Sequence, residues 1–369
     1  MKKILIFILT ISITIAGFTF FAAVACDNGS GENDSPETWP RTVIDHLDRE
    51  VTIIAPPQRI ISGFAMPTSA LLALGLQDRI AGTELFRETR PIFALAAHNL
   101  INNPDIITTG NVSNFNTEYA LAAEPDLVIV SGNPNHVAAA QLLYDTFNIP
   151  AIVVKAEHHD TLIEMLEMIG YMTGTEDRAT ALIAYHNNQI ARINTLTQGL
   201  AQADRPSVMM TNPGNLLSTA PRDMFQSSLV SIAGGVNAFN NLTGTGWVGI
   251  SYEQLAVANP DIIIIPTNNI ATENNQGILT RLLETAALSN VDAVSNGNIF
   301  FIPYGLEAFD TPLPAGILGT LWLTHILHPD LLTMDELVYE FQYFYYNFFN
   351  IILNQTLITR IRNSANPVA

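Results

Sequence analysis

Adjacent His158 and His159 are the only neighbouring imidazoles in the sequence. A bare metal ion needs three or four His, Asp or Glu side chains converging on it. Two consecutive residues leaving a strand do not readily turn both rings onto one ion. The chain has no Gly-x-x-x-x-Gly-Lys loop to cradle phosphate, no Gly-x-Ser-x-Gly elbow and no His-Glu-x-x-His helix. No enzyme and no resident cofactor or metal are expected.

A second chemical pattern is a repeat. Asn116-Thr117-Glu118-Tyr119-Ala120-Leu121-Ala122-Ala123-Glu124-Pro125-Asp126 precedes the apolar run Leu127-Val128-Ile129-Val130. Ser251-Tyr252-Glu253-Gln254-Leu255-Ala256-Val257-Ala258-Asn259-Pro260-Asp261 precedes Ile262-Ile263-Ile264-Ile265. In each copy a polar residue can cap a short helix, and Glu118 or Glu253 falls in its first turn, where the helix dipole favours negative charge. Proline then ends the helix and demands an extended turn. A strand apolar on both faces belongs in a parallel sheet covered by helices.

Stepping outward, each half of the chain therefore holds one doubly wound α/β lobe. Residues 59–63 and 151–154 read as further strands of the first, with helices from Pro67 and over 160–168. Residues 207–210 and 298–302 are strands of the second, with a helix over 223–233 stopped at Gly234-Gly235. Between the halves, residues 176–202 carry apolar positions at helical period, with Thr175 as cap and Glu176 and Asp177 in the first turn. At ~1.5 Å per residue this helix is on the order of 40 Å long and bridges the lobes as a strut. Residues 334–361 read as a helix whose aromatic stripe packs the core.

The start of the chain is of another kind. Lys2-Lys3 is followed by an apolar run over residues 4–24, the small residues Ala22-Ala23-Val24-Ala25, and Cys26. This is the layout of a secretory signal. The small residues before the cysteine resemble the lipobox of bacterial lipoproteins, which implies acylation of the Cys26 thiol and anchoring at a bilayer. The expected organisation is a signal peptide over 1–25, a flexible tether over 26–40, an N-terminal lobe over 41–174, a linking helix over 175–203 and a C-terminal lobe over 204–369. An uncleaved transmembrane anchor is the other reading of the first segment. Both put the remainder outside the cytoplasm.

Composition agrees with export and with two lobes. The 369 residues are 48% hydrophobic and 14% charged, with a net charge of −18. Lysine occurs only at Lys2, Lys3 and Lys155. Nucleic-acid binders cluster cations against phosphates, so no nucleic-acid partner is expected. With one cysteine, no disulfide framework can form within the chain.

Several segments resemble a known family. They are Asp45-His46-Leu47-Asp48-Arg49-Glu50-Val51-Thr52, Pro56-Pro57-Gln58-Arg59-Ile60-Ile61-Ser62, Ala73-Leu74-Gly75-Leu76-Gln77-Asp78-Arg79-Ile80-Ala81-Gly82, Gly170-Tyr171-Met172-Thr173-Gly174, Gly234-Gly235-Val236-Asn237 and His328-Pro329-Asp330. In order and spacing they resemble the class III periplasmic substrate-binding proteins of iron-siderophore, haem and cobalamin ABC importers. Asp48 stands where the family usually has glycine. The resemblance implies two α/β lobes joined by a single long α-helix, with a ligand cleft between the lobes. It also implies a monomer that hands an iron chelate, haem or corrinoid to ABC importer membrane subunits, with Glu118 and Glu253 pairing with arginines on those subunits. A bare zinc, manganese or iron ion and a ligand-sensing lipoprotein are the alternative roles.

In open α/β sheets, ligands lie beyond the carboxyl ends of the strands. That rule nominates Met66, Thr68, Arg87, Asn133, His158 and His159 in the first lobe. In the second it nominates Asn212, Arg222, Trp247, Asn268, Tyr304 and Phe309. Trp247 and Tyr304 would cover a flat ligand, and Arg87 or Arg222 could meet carboxylates of an anionic chelate.

Overall fold

The structure is a computed structural model that describes residues 38–85, 90–101, 103–111, 113–212, 214–266, 277, 280–303 and 306–367. The signal, most of the tether, Cys26, Arg87, Asn268 and Tyr304 lie outside the described residues.

The first lobe opens with the antiparallel hairpin β1 (Arg41–Ile44) and β2 (Glu50–Ile53). Asp48 takes the left-handed turn position (φ 58°) where the family resemblance implies glycine. Then come β3 (Ile60–Ser62), α1 (Ala65–Ala73), β4 (Ile80–Thr83), α2 (Pro91–Ala96) and β5 (Ile107–Thr108). A small hairpin, β6 (Gly110–Asn111) and β7 (Asn114–Phe115), leads to α3 (Thr117–Ala122). β8 (Leu127–Ser131), α4 (Pro134–Phe147), β9 (Ala151–Val154) and α5 (His159–Thr173) complete it. The sheet runs β5-β4-β3-β8-β9 with every pairing parallel. All of β8 and β9 is buried, as strands apolar on both faces require.

After α6 (Glu176–Thr197) the second lobe repeats the plan. Its strands are β10 (Ser207–Asn212), β11 (Asn215–Thr219), β12 (Val236–Asn237), β13 (Val248–Gly249), β14 (Ile262–Ile265) and β15 (Ile299–Phe301). The sheet order is β13-β11-β10-β14-β15, with β12 also on β10. β10, β14, β15 and β12 pair in parallel, and β11 and β13 add an antiparallel edge. Its helices are α7 (Phe225–Ile232), α8 (Tyr252–Ala258), α9 (Asp292–Ser295), α10 (Gly316–Leu327), α11 (Met334–Phe349) and α12 (Gln355–Ser364). Two α/β lobes joined by one long helix is thus the architecture. No helix of the described residues is long and apolar enough to cross a membrane.

The repeat has a structural cause. Asn116 Oδ1 accepts from Tyr119 N at 3.0 Å, and Ser251 Oγ accepts from Gln254 N at 3.2 Å, so each polar residue caps its helix. The helices stop differently from the sequence expectation. Glu124 and Asn259, the residues before the prolines, are left-handed (φ 49° and 40°) rather than extended. The following aspartates pin the sheets: Asp126 accepts from Gln58 N and Arg59 N, and Asp261 accepts from Ser207 N. Each Pro-Asp ties the start of one central strand to its neighbour.

Three expectations are corrected in detail. Thr175 does not cap α6; its hydroxyl lies 2.8 Å from Thr173 Oγ1. The strut ends at Thr197, so it is nearer ~33 Å long. The expected helix over 334–361 is two helices, because Asn350 turns left-handed (φ 55°) and ends α11. The aromatic stripe does pack the core: Phe341, Phe344, Tyr345, Phe348 and Phe349 are buried.

α6 is held to both lobes by polar contacts. Arg178 donates to Ala73 O and Phe348 O. Glu340 on α11 accepts from Tyr185 Oη, Gln189 Nε2 and Arg192 Nη1, all within 2.9 Å. His186 on α6 lies 2.8 Å from Pro314 O and stacks on His159 of α5 at 5.7 Å.

Burial, then the charge of His159, pushes the His186 pKa from 6.5 down to about 3. The folded-state value is depressed, so below pH 6.5 the unfolded chain binds a proton that the folded chain refuses. Stability is lost as pH falls through that window. Asp310 opposes it: burial raises its pKa from 3.8 to about 6, so the folded chain gains a proton first and acidification from 6 toward 4 stabilises. Substituting His186→Gln keeps a donor for Pro314 O and removes the first effect. Between pH 7 and 5 the variant should lose less stability than the parent, by up to about 2 kcal/mol. Urea denaturation at the two pH values measures this, and equal losses would exclude His186 as the cause.

Candidate functional site

The carboxyl ends of the two sheets meet in a buried ionic network. Glu84 immediately follows β4 and is 6% exposed; Glu307 follows β15 and is 2% exposed. Arg90, just before α2, lies between them. It pairs with Glu84 through Nη1, and its Nη2 donates to Glu307 Oε1 at 3.1 Å. Ser69 on α1 donates to Glu307 Oε2 at 2.8 Å, and Thr68 donates to Glu84 Oε2 at 2.5 Å. Ser62 Oγ lies 2.7 Å from the Thr68 hydroxyl. Two side chains of the first lobe, Ser69 and Arg90, thus hold one carboxylate of the second, and Arg90 links it to Glu84, Thr68 and Ser62.

The chain places these groups for local reasons. β3 delivers Ser62 at its last position, and α1 then presents Thr68 and Ser69 one turn in. Gly319 on α10 lets the backbone after Glu307 come close: a Cβ there would stand 2.0 Å from Phe309 O. Two carboxylates and one guanidinium leave the network with one excess negative charge. Burial raises the Glu307 pKa, while Arg90 and the Ser69 hydrogen bond hold it down.

Of the residues expected at the ligand site, Thr68 alone joins this network among those described. Met66 is half-buried against the core on α1. Asn133 caps α4, accepting from Asn135 N at 3.1 Å. His158 is exposed at the start of α5, while His159 packs on His186. Asn212 Oδ1 accepts from Gly214 N at 2.7 Å in its own turn. Arg222 is exposed beside Asp223 at 3.4 Å. Trp247 is half-buried next to β13. Phe309 is corrected: it is 1% exposed and packs edge-on to Phe341 at 5.1 Å, so it is a core residue and has no open face for a ligand.

Sequence reasoning missed Ser69, Glu84, Arg90 and Glu307. A signal existed. Charge is scarce in this chain, so an acid directly after a strand, or inside the apolar stretch Leu306-Glu307-Ala308-Phe309, stands out. Glu118 and Glu253 are both exposed at the first turns of α3 and α8, with Tyr119 and Tyr252 exposed beside them. The Ser251 hydroxyl, then its own backbone N–H, hold the Glu253 carboxyl below its usual range. Among the described residues no group of three or more His, Cys, Asp or Glu is placed to hold a metal ion.

Residues 60–304 match the family described as periplasmic binding protein. The chain is 25% identical, over 83% of its length and 92% of the relative's, to an uncharacterized ABC transporter substrate-binding lipoprotein, YvrC, of Bacillus subtilis. It is 21% identical to a cobalamin-binding protein of Halobacterium salinarum, over 71% of this chain and 68% of that one. The fold is that of a periplasmic solute binding protein from Veillonella parvula, with a TM-score of 0.73, 24% identity and coverage of 89% and 98%.

Proposed function

The chain belongs to the periplasmic binding protein family, and from that premise we propose that it is a lipid-anchored carrier of a bulky metal-organic chelate, a corrinoid before an iron chelate or haem. As a substrate-binding protein it works with the membrane subunits of an ABC transporter and is not an enzyme. One observation carries the reading of the site. Loops beyond the carboxyl ends of two separate sheets converge on the Glu84–Arg90–Glu307 network, which is where an α/β fold receives ligand. The cobalamin-binding relative supports placing corrinoids first.

In this reading the network closes the base of the cleft. The ligand sits above it, with Trp247 as its aromatic cover. Fluorescence titration of the protein with cobinamide, a ferric hydroxamate, haem, molybdate and bare ions is the test. Saturable quenching by cobinamide or the ferric chelate is expected, and Trp247→Ala should weaken it about tenfold, or ~1.4 kcal/mol. Binding of bare ions or molybdate alone would overturn the proposal. The anchor is Cys26, and Cys26→Ser should shift the protein from membranes to the soluble fraction; retention would point to an uncleaved helix.

A further inference from the structure

The second lobe carries an apolar groove that neither its core nor the interlobe network explains. It lies between α8 and the segment that follows β12, and it encloses about 420 Å³. Ala238, Phe239, Leu242 and Ala258 form its floor, and all four belong to the hydrophobic packing of that lobe. Val257 stands beside it with 86% of its surface exposed. Glu253 is the only charged residue in the lining.

A single exposed apolar side chain is ordinary. This one has two further marks. Valine is a poorer helix former than alanine, so the helix itself gains nothing from it. Nor does the fold require it, because the repeat supplies a control: Ala122 follows Glu118 on α3 by the same four positions that separate Val257 from Glu253 on α8. The groove against α3 also differs in kind, being lined by Arg59, Asp78, Arg79 and Asp105. A spacing of four puts Glu253 and Val257 on one face of α8. The Glu253 carboxylate is open to solvent, and the Ser251 hydroxyl, then its own backbone N–H, keep it ionised.

We propose that this groove is the apolar half of a docking surface for a membrane subunit of the ABC importer, with Glu253 as the charged half. The partner segment presents a cationic side chain to Glu253. Within about one helical turn of that cation it carries a leucine-sized side chain, which enters the groove and covers Val257. Continuity of the groove with Glu253 and charge complementarity select this occupant. A second copy of this chain, with a net charge of −18, would bring like charge to Glu253. The inference rests on Glu253 as a docking carboxylate. It adds an unlike pair of contacts, apolar on the second lobe and charged on the first.

Site-specific photo-crosslinking in cells tests the surface. The full-length protein carries p-benzoylphenylalanine in place of Val257, of Tyr252, which neighbours Glu253, or of Ile352, which is 83% exposed and lines no part of the groove. Adducts with an ABC membrane subunit are expected from positions 252 and 257 and not from 352. The subunit peptide captured at 257 should contain a cation with an apolar neighbour. Val257→Asp should reduce the adduct formed from position 252 about tenfold, while Val257→Leu retains it; the exposure of Val257 leaves the core untouched in both. A membrane-subunit adduct from 252 without one from 257 would overturn the groove and leave Glu253 docking in place. So would an undiminished 252 adduct in Val257→Asp, or capture at 257 of a second copy or of an unrelated protein. No membrane-subunit adduct from either position would count against Glu253 docking itself and remove this inference with it.

Discussion

Replacing Glu118 and Glu253 together by alanine should abolish ligand uptake by cells while leaving ligand affinity of the purified protein unchanged. Both carboxylates are exposed, and each occupies the same place, the first turn of a short capped helix before a central strand. The caps are made by Asn116 and Ser251, and the registers by Asp126 and Asp261, so the glutamates themselves carry none of the fold's fixed points. What they offer is a matched pair of negative charges, one per lobe, which suits a partner with two equivalent subunits. Each glutamate is also remote from the Glu84–Arg90–Glu307 network in sequence and makes no hydrogen bond to it. A double variant that transports at the parental rate, with parental affinity, would remove docking from the account.

The second large effect is expected at Arg90. Removing one partner from a buried ionic group costs about 3–5 kcal/mol when a charge is left uncompensated. In Arg90→Met the uncompensated groups are two carboxylates, Glu84 and Glu307, both nearly inaccessible to water. Removing Glu307 instead leaves Arg90 paired with Glu84, so Glu307→Gln should cost much less. The order of the two losses is the informative quantity. The sign with pH also follows. The raised Glu307 pKa means that, on acidification, the folded chain takes up a proton before the unfolded one does. Without Arg90 that tendency grows, so Arg90→Met should recover part of its deficit between pH 7.5 and 5. Urea denaturation of both variants at the two pH values gives the comparison. A Glu307→Gln loss as large as that of Arg90→Met would mean that charge balance is not what holds this contact.

Much of the architecture was legible because it rests on local rules. Leu127–Val130 and the four isoleucines from Ile262 announce buried parallel strands by having no polar face. Asn116, Ser251 and the prolines mark where the preceding helices begin and end. The duplicated Pro-Asp was visible, but its work was not, since Asp126 acts on Gln58 and Arg59, far away in sequence. The break at Asn350 was missed because an asparagine inside an aromatic-rich helical pattern gives no periodic signal, although it tolerates a left-handed φ better than most residues.

The candidate site divides in the same way. From the sequence alone came the kind of protein: two helix-covered sheets with parallel central strands, a strut between them and a repeated glutamate at the first turn of a short helix, all encoded by short-range pattern. Tertiary structure decided which side chains face each other. Phe309 went to the core because Phe341 and Gly319 make room for it there. Glu307 went to Arg90 and Ser69 because the two lobes bring residues more than 200 positions apart into contact. Burial and pairing of that kind depend on distances across the whole chain, and no local spacing records them.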